Sequence, residues 1–346
     1  MSLPQTMLGA RFIEVGMPLQ LARVQMPVPL QGRLLVKVKA CGICGSDLTI
    51  LKGALPVPPN LILGHEVAGE VAALGEGVTG WKEGERVALF YASGCNECSM
   101  CQKGWVVGCV RTSRRLGVNE DGGFAHFVST PATSAVRIPK NIDFAMGALA
   151  TDAVATSIHA LCDNGRIRKG ETIVIFGVGG LAVPAIQIAR LVGAKVIAVS
   201  RSAAKLDLAR GLGAEAVIKG GDSTAVVKAI HKETAGQGVN LALQLVPNPA
   251  VDRQAIACTA PGGRIILVGF TPATFTVNSL EIIIRQLTII GSRGMTLDNI
   301  RQAIDLVSQR KVDLSPLLTT KYRLAHINQA LNDFTNRKVV RPIIEP

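Results

Sequence analysis

The chain has 346 residues, 48% of them hydrophobic, and a formal net charge of +12 at pH 7. This length suits about two domains, each with a hydrophobic core of its own. The positive charge is scattered and aromatic residues are few, which favours a basic solvated surface that also serves an anionic cofactor and argues against nucleic-acid binding. No charged segment followed by an apolar one begins the chain, so we expect no secretory signal and a cytoplasmic location.

The first part of the chain, up to about Ala40, alternates apolar and polar residues, as in Leu34–Lys39. Pro27 and Pro29 limit regular strand pairing just before that run. Such a pattern is typical of short antiparallel strands with one buried face. We therefore expect a β-rich, barrel-like domain in this part of the chain.

Two short motifs in the same region carry metal-binding residue types. Cys41–Asp47 reads CGICGSD, and Gly64–Gly69 reads GHEVAG. Thiolate and imidazole are ligands that zinc prefers, and glycines let the backbone crowd a small site. On its own, the C-x-x-C pair is also compatible with half of a structural zinc site or with a redox pair, and a lone histidine is more typical of a core residue.

Four further cysteines follow with the spacing C-x2-C-x2-C-x7-C: Cys95, Cys98, Cys101 and Cys109. Four thiolates this close complete a tetrahedral shell without an open position, which is typical of structural zinc; an iron–sulfur cluster is the alternative. The paired spacing of zinc ribbons is absent, which weakens a nucleic-acid interpretation. Cys162 and Cys258 fall in apolar helical contexts and are expected to be packing residues. Metal ligation and packing suit eight cysteines without an export signal better than disulfides do.

The stretch Glu171–Ser202 has the pattern of a strand–helix–strand unit. Thr172–Phe176 and Lys195–Val199 are apolar runs typical of strands buried on both faces, and apolar residues at helical spacing run between them. The link between the first strand and the helix reads G-x-G-x-x-A: Gly177, Val178, Gly179, Gly180, Leu181 and Ala182. The first glycine permits a tight turn, the second lets a pyrophosphate approach the backbone, and the alanine permits close helix–strand packing. The flanking elements make this a strong dinucleotide-binding signal.

A membrane span is the alternative for part of this stretch, because Thr172–Ala189 carries no charged residue. Three glycines and Pro184 within it, and Arg190 directly after it, argue against a span. We expect no membrane association.

Further strands are expected near 215–218, 239–246, 263–268 and 287–290, alternating with helical stretches. This alternation predicts an α/β Rossmann fold with a doubly wound parallel sheet over about 154–293. A helix is expected near Leu297–Ser308. No internal repeat at a solenoid period is visible.

Taken in this order, Cys41–Asp47, the run Gly64–Val78, the motif Gly84–Val87 and the Rossmann unit resemble the zinc-dependent medium-chain alcohol dehydrogenases. The resemblance covers nearly the whole chain. It implies a discontinuous GroES-like catalytic domain formed by residues 1–153 and 294–346, because Val339–Ile344 returns to it, with a structural zinc lobe at 94–110. It also implies that the four-cysteine lobe holds zinc.

By this resemblance, Cys44 rather than Cys41 is the first ligand of a catalytic zinc and His65 is the second. Ser46 is expected to hydrogen-bond the substrate oxygen, Asp47 to hold the other nitrogen of His65, and Glu66 to lie beside the metal. The family often has histidine where this chain has Thr49, so the outer end of a proton relay is altered here. Tyr91 is a further position near the metal in relatives, although packing is its alternative role.

The third ligand of the catalytic zinc is expected to be Asp152. Many relatives carry cysteine there, counted back from a His-Ala-Leu sequence, and some bacterial secondary-alcohol dehydrogenases carry aspartate. The alternative is that Asp152 or Thr151 caps a helix. Zinc catalysis needs three protein ligands and one open position, which this set supplies.

Cofactor binding is expected at Gly177, Gly179, Gly180, Leu181 and Val268, with Arg341 at a family position that can contact cofactor phosphate or, alternatively, as a surface charge. NAD-binding units place an acidic residue after the second strand, where this chain has Ser200. Arg201, and Lys205 one turn on, suit a 2′-phosphate. These residues favour NADP over NAD, unless Ser200 only caps the next helix and Arg201 points to water.

The sequence therefore predicts an enzyme with two zinc ions per chain that transfers hydride between a nicotinamide and an uncharged alcohol, ketone or aldehyde. The expected partners are this small molecule and further copies of the chain, as a dimer or tetramer, with neither nucleic acid nor membrane. An enoyl or quinone reductase of the same fold is the alternative, although its relatives lack zinc ligands. A zinc-containing nucleic-acid-binding protein is a third hypothesis.

Overall fold

The computed structural model describes residues 4–346. Its contacts divide the chain into two compact units. Unit 1 comprises the chain up to Asp152 together with Met295–Arg310 and Leu314–Pro346, and unit 2 comprises Ala153–Gly294 and Lys311–Asp313. The predicted boundaries at 153/154 and 293/294 lie within one residue of this division, and whether each unit is an independent domain stays a prediction.

The strands are β1 (Thr6–Phe12), β2 (Gln20–Gln25), β3 (Arg33–Gly42), β4 (Leu61–Ile62), β5 (Glu66–Leu74), β6 (Arg86–Leu89), β7 (Ala92–Ser93), β8 (Arg114–Arg115), β9 (Phe127–Pro131), β10 (Ala135–Arg137), β11 (Thr172–Phe176), β12 (Lys195–Ser200), β13 (Ala216–Lys219), β14 (Val239–Gln244), β15 (Thr259–Leu267), β16 (Thr288–Gly291), β17 (Lys321–Arg323) and β18 (Ile343–Glu345). The α-helices are α1 (Gly45–Leu51), α2 (Ser99–Gln102), α3 (Phe144–Leu149), α4 (Ala155–Ile158), α5 (Ala182–Val192), α6 (Ala203–Gly211), α7 (Ser223–Glu233), α8 (Pro249–Cys258), α9 (Ser279–Arg285), α10 (Leu297–Ser308) and α11 (Ile327–Thr335). Two π-helical stretches, Ala150–Val154 and His159–Asn164, flank α4, and short 3₁₀ turns occur at Val106–Gly108, Ala132–Ser134 and Leu324–His326.

Unit 1 is built around the long strand β3. The sheet order is β10-β6-β5-β3-β18-β17, β9 also pairs with β3, and a second sheet has the order β2-β1-β4. β3 pairs antiparallel with β5, so that Cys41 faces Val67 and Gly42 faces Glu66. β18 pairs antiparallel with the same end of β3, with Ile343 opposite Gly42. This register brings the two metal-binding motifs and the C-terminal strand to one place.

The core of unit 1 lies between these sheets. Leu34, Leu35 and Val36 of β3 are fully buried, and Phe124 and Ile62 pack in the same cluster. The predicted antiparallel, barrel-like domain is confirmed. Apolar side chains buried at adjacent positions fix β3 in the core, and the strand leads directly into the Cys41–Asp47 motif.

Unit 2 contains a six-stranded parallel sheet with the order β13-β12-β11-β14-β15-β16. The order reverses at β11, whose neighbours are β12 and β14, and such a reversal opens a crevice at the carboxyl ends of the strands. Val174 and Phe176 of β11 pack in one cluster with Ile230 of α7. The predicted doubly wound Rossmann sheet is confirmed, although β15 begins at Thr259, earlier than expected.

One helical segment, Phe144–Asn164, is long and apolar enough to cross a membrane by length and composition, but 83% of its window is buried inside the protein. Such burial is typical of a core helix. The span considered over Thr172–Ala189 is wrong, because that stretch divides into β11, a glycine turn and α5.

Candidate metal centres and dinucleotide turn

Ligand atoms of four residues meet in unit 1: Cys44, His65, Glu66 and Asp152, all within 4.8 Å of one another. Cys44 directly precedes α1, His65 and Glu66 come at the start of β5, and Asp152 lies in the π-helical stretch after α3. Cys41 is outside this group, since its buried thiol packs toward Gly64 and contacts the Gly42 carbonyl. The structure therefore brings together the predicted ligands and leaves out the other cysteine of the pair.

Asp47 fixes both Cys44 and His65. Its Oδ2 accepts a hydrogen bond of 2.8 Å from the Cys44 backbone N–H, which caps the first turn of α1. Its Oδ1 lies 3.6 Å from His65 Nδ1. The other ring nitrogen, Nε2, lies 3.2 Å from Ser46 Oγ. Nδ1 thus faces a carboxylate while Nε2 faces Ser46, the arrangement of a ligating histidine held from behind.

Thr49 is one turn further along α1, and its hydroxyl donates a hydrogen bond of 3.0 Å to the Gly45 carbonyl. This bond is local to the helix and involves none of the four grouped side chains. A relay role for Thr49 stays a prediction. Tyr91 lies nearer, with its ring centroid 5.8 Å from that of His65 in an edge-on arrangement.

Two glycines make room for this group. A Cβ on Gly42 would lie 2.1 Å from Glu66 Oε2. Gly64 has φ +92°, and a Cβ there would lie 2.6 Å from Phe124 and 2.8 Å from Cys41 Sγ. The close approach at Gly42 and the left-handed backbone at Gly64 both favour a residue without a side chain.

Asp152 does not cap a helix. Asp143 caps α3, the N-cap position of α4 is Val154, and the Thr151 hydroxyl donates to the Ala148 carbonyl, so the helical-cap interpretation of Asp152 or Thr151 is wrong. Instead Asp152 Oδ2 accepts a hydrogen bond of 2.6 Å from Arg341 Nη2 and lies 3.4 Å from Cys44 Sγ. Arg341 Nη2 also pairs with Glu66 Oε1 at 2.9 Å.

Arg341 is only 4% exposed, so the surface-charge interpretation of this residue is wrong. Its contact with cofactor phosphate stays a prediction. The buried ion pairs of Arg341 are a feature that the sequence did not indicate, since the residue lies 189 positions from Asp152. The one signal in the sequence was an arginine directly before the short apolar run of residues 342–344.

The electrostatics of the group favour its charged, metal-binding forms at two positions. Burial alone would raise the pKa of Asp152, but the charges of Arg341 and His65 and hydrogen bonds with Glu66 and Cys44 together lower it to about 2. Burial and the Asp152 charge oppose ionisation of Cys44, yet Arg341 and a hydrogen bond with His65 bring the net pKa of this thiol below its usual value. A thiolate and a carboxylate are the forms that bind zinc.

The pKa values of Glu66 and His65 shift in the other direction, upward. Burial raises the pKa of Glu66 well above its usual value, despite the charge of Arg341. Burial would lower the pKa of His65, but the Asp47 carboxylate reverses this and the net pKa is well above usual. Protein groups alone therefore do not compensate all the negative charge gathered here.

A zinc ion fits this group of residues. Both oxygens of fully buried Glu66, and Nδ1 of His65, lack a hydrogen-bond partner of the ordinary geometry within residues 4–346. Buried polar atoms left in this way are costly and call for a partner such as a cation. One thiol, one imidazole and carboxylates form a donor set that zinc accepts.

The four-cysteine lobe is a separate group, formed by Cys95, Cys98, Cys101 and Cys109. Two of its sulfur–sulfur distances are 4.0 Å (Cys95–Cys101) and 3.9 Å (Cys98–Cys109). A tetrahedron with Zn–S bonds of about 2.3 Å has S···S edges of about 3.8 Å, so these distances suit zinc. A Cβ on Gly94 would lie 2.5 Å from Cys101 Sγ, so glycine is needed beside the lobe.

Backbone N–H groups point at the sulfurs of this lobe. The N–H of Cys95 lies 3.4 Å from Cys109 Sγ, and that of Cys98 lies 3.3 Å from Cys95 Sγ. Such donors lower the pKa of Cys109 to about 6, while burial raises that of Cys101 to about 12. Bonds from backbone to sulfur stabilise thiolates before any metal is bound.

In unit 2 the glycine turn follows β11 as predicted. Gly177 has φ +94°, and a Cβ there would lie 2.5 Å from Val246. The Cβ position of Gly179 has no atom within 4 Å, and Ala182, the first residue of α5, is fully buried. Gly180 and Leu181 are half-buried between them. The turn is therefore open at the position where a pyrophosphate would approach and tight where helix meets sheet.

The residues after β12 are those for which the sequence predicts a contact with the cofactor ribose. Ser200 ends the strand, is 8% exposed and accepts a hydrogen bond from the Ser202 N–H through Oγ. Arg201 is exposed, and Lys205 is half-buried in α6. Val268, just after β15, is half-buried and its N–H donates to the Gln244 carbonyl. No acidic residue occupies the Ser200–Lys205 run.

Sequence profiles of two families match the chain: the alcohol dehydrogenase GroES-like domain over residues 30–140 and the zinc-binding dehydrogenase domain over residues 177–309. An alcohol dehydrogenase of Geobacillus stearothermophilus is 33% identical over 93% of this chain and 93% of its own length. The chain belongs to the zinc-dependent medium-chain alcohol dehydrogenase family. As a member of this family it is an oxidoreductase that acts on alcohols.

Solved structures agree with the fold of this alcohol dehydrogenase. A zinc-binding dehydrogenase of Sinorhizobium meliloti 1021 bound to NADP superposes with a TM-score of 0.90 at 30% identity, covering 99% of this chain and 100% of its own. The acetophenone reductase of Geotrichum candidum NBRC 4597 in complex with NAD has a TM-score of 0.90 at 26% identity, covering 100% and 98%. Similar structures therefore occur with each of the two nicotinamide cofactors.

Proposed function

We propose that this alcohol dehydrogenase interconverts an uncharged alcohol with a ketone or aldehyde, uses NADP in preference to NAD, and holds two zinc ions per chain. The observation that carries the proposal is the meeting of Cys44, His65, Glu66 and Asp152 ligand atoms within 4.8 Å in a chain of this family. We assign Cys44, His65 and Asp152 to the catalytic zinc. The four-cysteine lobe is assigned to the structural one.

Cys44, His65 and Asp152 would hold a zinc ion that would supply Lewis-acid polarisation of the substrate oxygen, and a bound nicotinamide would supply or accept the hydride. Ser46 is assigned to the proton of the substrate hydroxyl. Its Oγ, 3.2 Å from His65 Nε2, is on the ligand side of the imidazole. Asp47 holds the opposite side of the ring and Glu66 supplies a second carboxylate nearby. Thr49 is assigned to the outer end of the proton path.

The test is turnover measured over primary, secondary and aromatic alcohols with both cofactors, together with elemental analysis of the purified protein. The proposal expects two zinc ions per chain and activity that a chelator removes. Less than one zinc per chain together with full activity in chelator contradicts it. An iron signal with the colour of a cluster would reassign the four-cysteine lobe.

The preference for NADP rests on the neutral Ser200 and the cationic Arg201 and Lys205 at the end of β12. A neutral residue does not repel a 2′-phosphate, and a guanidinium suits its oxygens. Arg201→Ala is expected to weaken the binding of NADP far more than the binding of NAD. The expected loss is about 1.5–3 kcal/mol of binding free energy, for a lost charge-assisted hydrogen bond. Arg210→Ala serves as control, because it removes an exposed cation of the following helix α6 that is paired with Asp207. Equal or better catalytic efficiency with NAD in the unmutated protein contradicts the assignment.

We further infer a cytoplasmic homo-oligomer, a dimer or tetramer, that associates through unit 2. β16 is an edge strand of the parallel sheet. The preceding helix α9 exposes Leu280, Ile283 and Ile284, which are 59%, 68% and 70% accessible. Apolar side chains exposed beside a free sheet edge support association. Light scattering should give a multiple of 36.4 kDa, and a monomer at micromolar concentration contradicts this inference.

A further inference from the structure

The C-terminal segment fixes Arg341 beside the catalytic group. The Pro342 carbonyl accepts a hydrogen bond of 3.0 Å from the Ile43 N–H, and Ile343 and Ile344 pair with Gly42 and Cys41 of β3. The three residues directly before Cys44 are therefore tied to the residues directly after Arg341. A guanidinium this buried and anchored this closely has little freedom to move.

One nitrogen of Arg341, Nη2, contacts the carboxylates of both Asp152 and Glu66, but in different ways. Nη2 donates a hydrogen bond of 2.6 Å to Asp152 Oδ2. The same nitrogen is 2.9 Å from Glu66 Oε1, but this ion pair lacks hydrogen-bond geometry, and both Glu66 oxygens are without a donor within residues 4–346. Arg341 Nε is also buried without a partner. Arg341 thus orients Asp152 by a directional hydrogen bond, whereas its contact with Glu66 is an ion pair without that geometry.

The Glu66 side chain is closely packed on the side of Gly42. Its Oε2 lies over Gly42, where even a Cβ would come within 2.1 Å, and the side chain is fully buried. Its carboxylate is among the four groups whose ligand atoms lie within 4.8 Å. It is therefore a competing ligand at the same place as Asp152, with the same chemistry.

The charge of the group explains why the cationic Arg341 is needed between the carboxylates of Glu66 and Asp152. With Cys44, Glu66 and Asp152 ionised, Arg341 leaves the group at minus two, which one zinc ion balances. Without Arg341, two carboxylates and a thiolate would face one zinc ion with an excess negative charge. Buried like charges are relieved by movement, protonation or metal binding.

We propose that Arg341 is a positioning residue that keeps Asp152 as the third ligand of the catalytic metal and restrains Glu66 from taking that place. The inference rests on the proposed assignment of Asp152 as a ligand. Arg341 holds one oxygen of Asp152 and so presents the carboxylate in one orientation. It also compensates the charge of Glu66 and reduces the attraction of Glu66 for the metal.

The test compares Arg341→Leu with the unmutated enzyme in two readouts that do not depend on turnover. The first is zinc retained after dialysis against a chelator, which should fall from two toward one per chain. The catalytic site is expected to bind zinc about 10- to 100-fold more weakly, as for other residues that hold a metal ligand. The second is the visible spectrum of enzyme with cobalt in the catalytic site, which should change because the ligand set and geometry change.

Matched variants separate positioning from a general loss of structure. Arg264→Leu removes a half-buried arginine that is paired with Glu171 at 2.6 Å, and it should retain both metal ions. Glu66→Gln introduced into Arg341→Leu should restore zinc retention and the original cobalt spectrum, because the competing charge is gone. Arg341→Lys should restore part of the retention, since it keeps the charge but not the planar guanidinium.

Unchanged retention and an unchanged cobalt spectrum in Arg341→Leu overturn the inference, as does loss that Glu66→Gln fails to rescue. The parallel variant Asp152→Asn tests the assignment beneath it. If Asp152→Asn keeps both zinc ions, the ligand assignment itself is wrong. If Asp152→Asn loses one zinc and Arg341→Leu loses none, Asp152 remains a ligand and only the role of Arg341 fails.

Discussion

The two cysteine-containing groups of unit 1 differ in how the chain assembles them. In the four-cysteine lobe the first and last ligands are 14 residues apart, and backbone N–H groups of the same loop bond the sulfurs. In the catalytic group Cys44 and Asp152 are 108 residues apart, and Arg341 lies a further 189 residues on. The first is a local loop, whereas the second exists only when β3, β5, β18 and the helical segment are in register.

They differ in chemistry as well. The ligand set of the lobe consists of four thiols, so that one metal ion completes a closed shell. The proposed catalytic group has a thiol, an imidazole and two carboxylates that share one guanidinium. A closed shell suits stability, and a mixed, charge-balanced group suits reactivity at an open position. Mutations should therefore separate the two functions.

The largest effect is expected at the catalytic ligands. Cys44→Ala or His65→Ala should lower turnover roughly 10³-fold or more, because Lewis-acid stabilisation is worth several kcal/mol. Cofactor affinity and fold should be retained, as measured by fluorescence titration and circular dichroism. Cys41→Ala is the matched control. If Cys41→Ala loses zinc-dependent turnover while Cys44→Ala keeps it, the wrong cysteine has been assigned.

The next largest effect is expected for variants of the four-cysteine lobe, which should change stability and not turnover. Cys98→Ala should lower the free energy of unfolding by about 4 kcal/mol or more, the range expected for loss of a metal. Turnover per folded molecule should persist at low temperature. Thermal unfolding and zinc analysis check this. An unchanged melting temperature together with an unchanged zinc content contradicts a structural metal in the lobe.

The same contrast explains what the sequence could predict. The lobe, the glycine turn at Gly177 and the parallel sheet follow from local spacing and from apolar runs, because their residues are neighbours in the chain. Asp152 was ambiguous, since an aspartate within a helical pattern is compatible with a cap as well as with a ligand. Only the packing of β18 beside β3 showed its partner to be Arg341. Residues brought together by distant register leave no local pattern in a single sequence.

Asp152→Asn should weaken zinc binding at the catalytic group by more than about 100-fold, beyond the loss typical of an outer partner. The lobe should stay filled, so the protein should retain one zinc per chain after dialysis. Asp143→Ala is the control, because Asp143 is the true cap of α3. It should cost about 1 kcal/mol of stability and no zinc. A zinc-edge spectrum that is the same in Asp152→Asn and in the unmutated enzyme would contradict ligation.

The smallest effects are expected at the two glycines that border the groups, Gly42 and Gly94. Neither has a positive φ, so alanine is tolerated by the backbone and only its Cβ matters. That Cβ would lie 2.1 Å from Glu66 Oε2 at position 42 and 2.5 Å from Cys101 Sγ at position 94. Each substitution should cost about 1–3 kcal/mol, as overpacking does. Gly42→Ala should alter the cobalt spectrum of the catalytic group, and Gly94→Ala should speed loss of the structural zinc.

Gly45→Ala is the control for both glycine variants, because its Cβ would meet no atom within 4 Å. A double-mutant cycle then isolates the contact at position 42. Glu66→Ala removes the carboxylate that the new methyl group strikes, so the cost of Gly42→Ala should largely disappear in that background. A coupling of about 0.5–3 kcal/mol is expected for residues in contact. Additive effects would mean that Glu66 moves aside without cost, and the tight placement of its carboxylate beside the metal ligands would then be wrong.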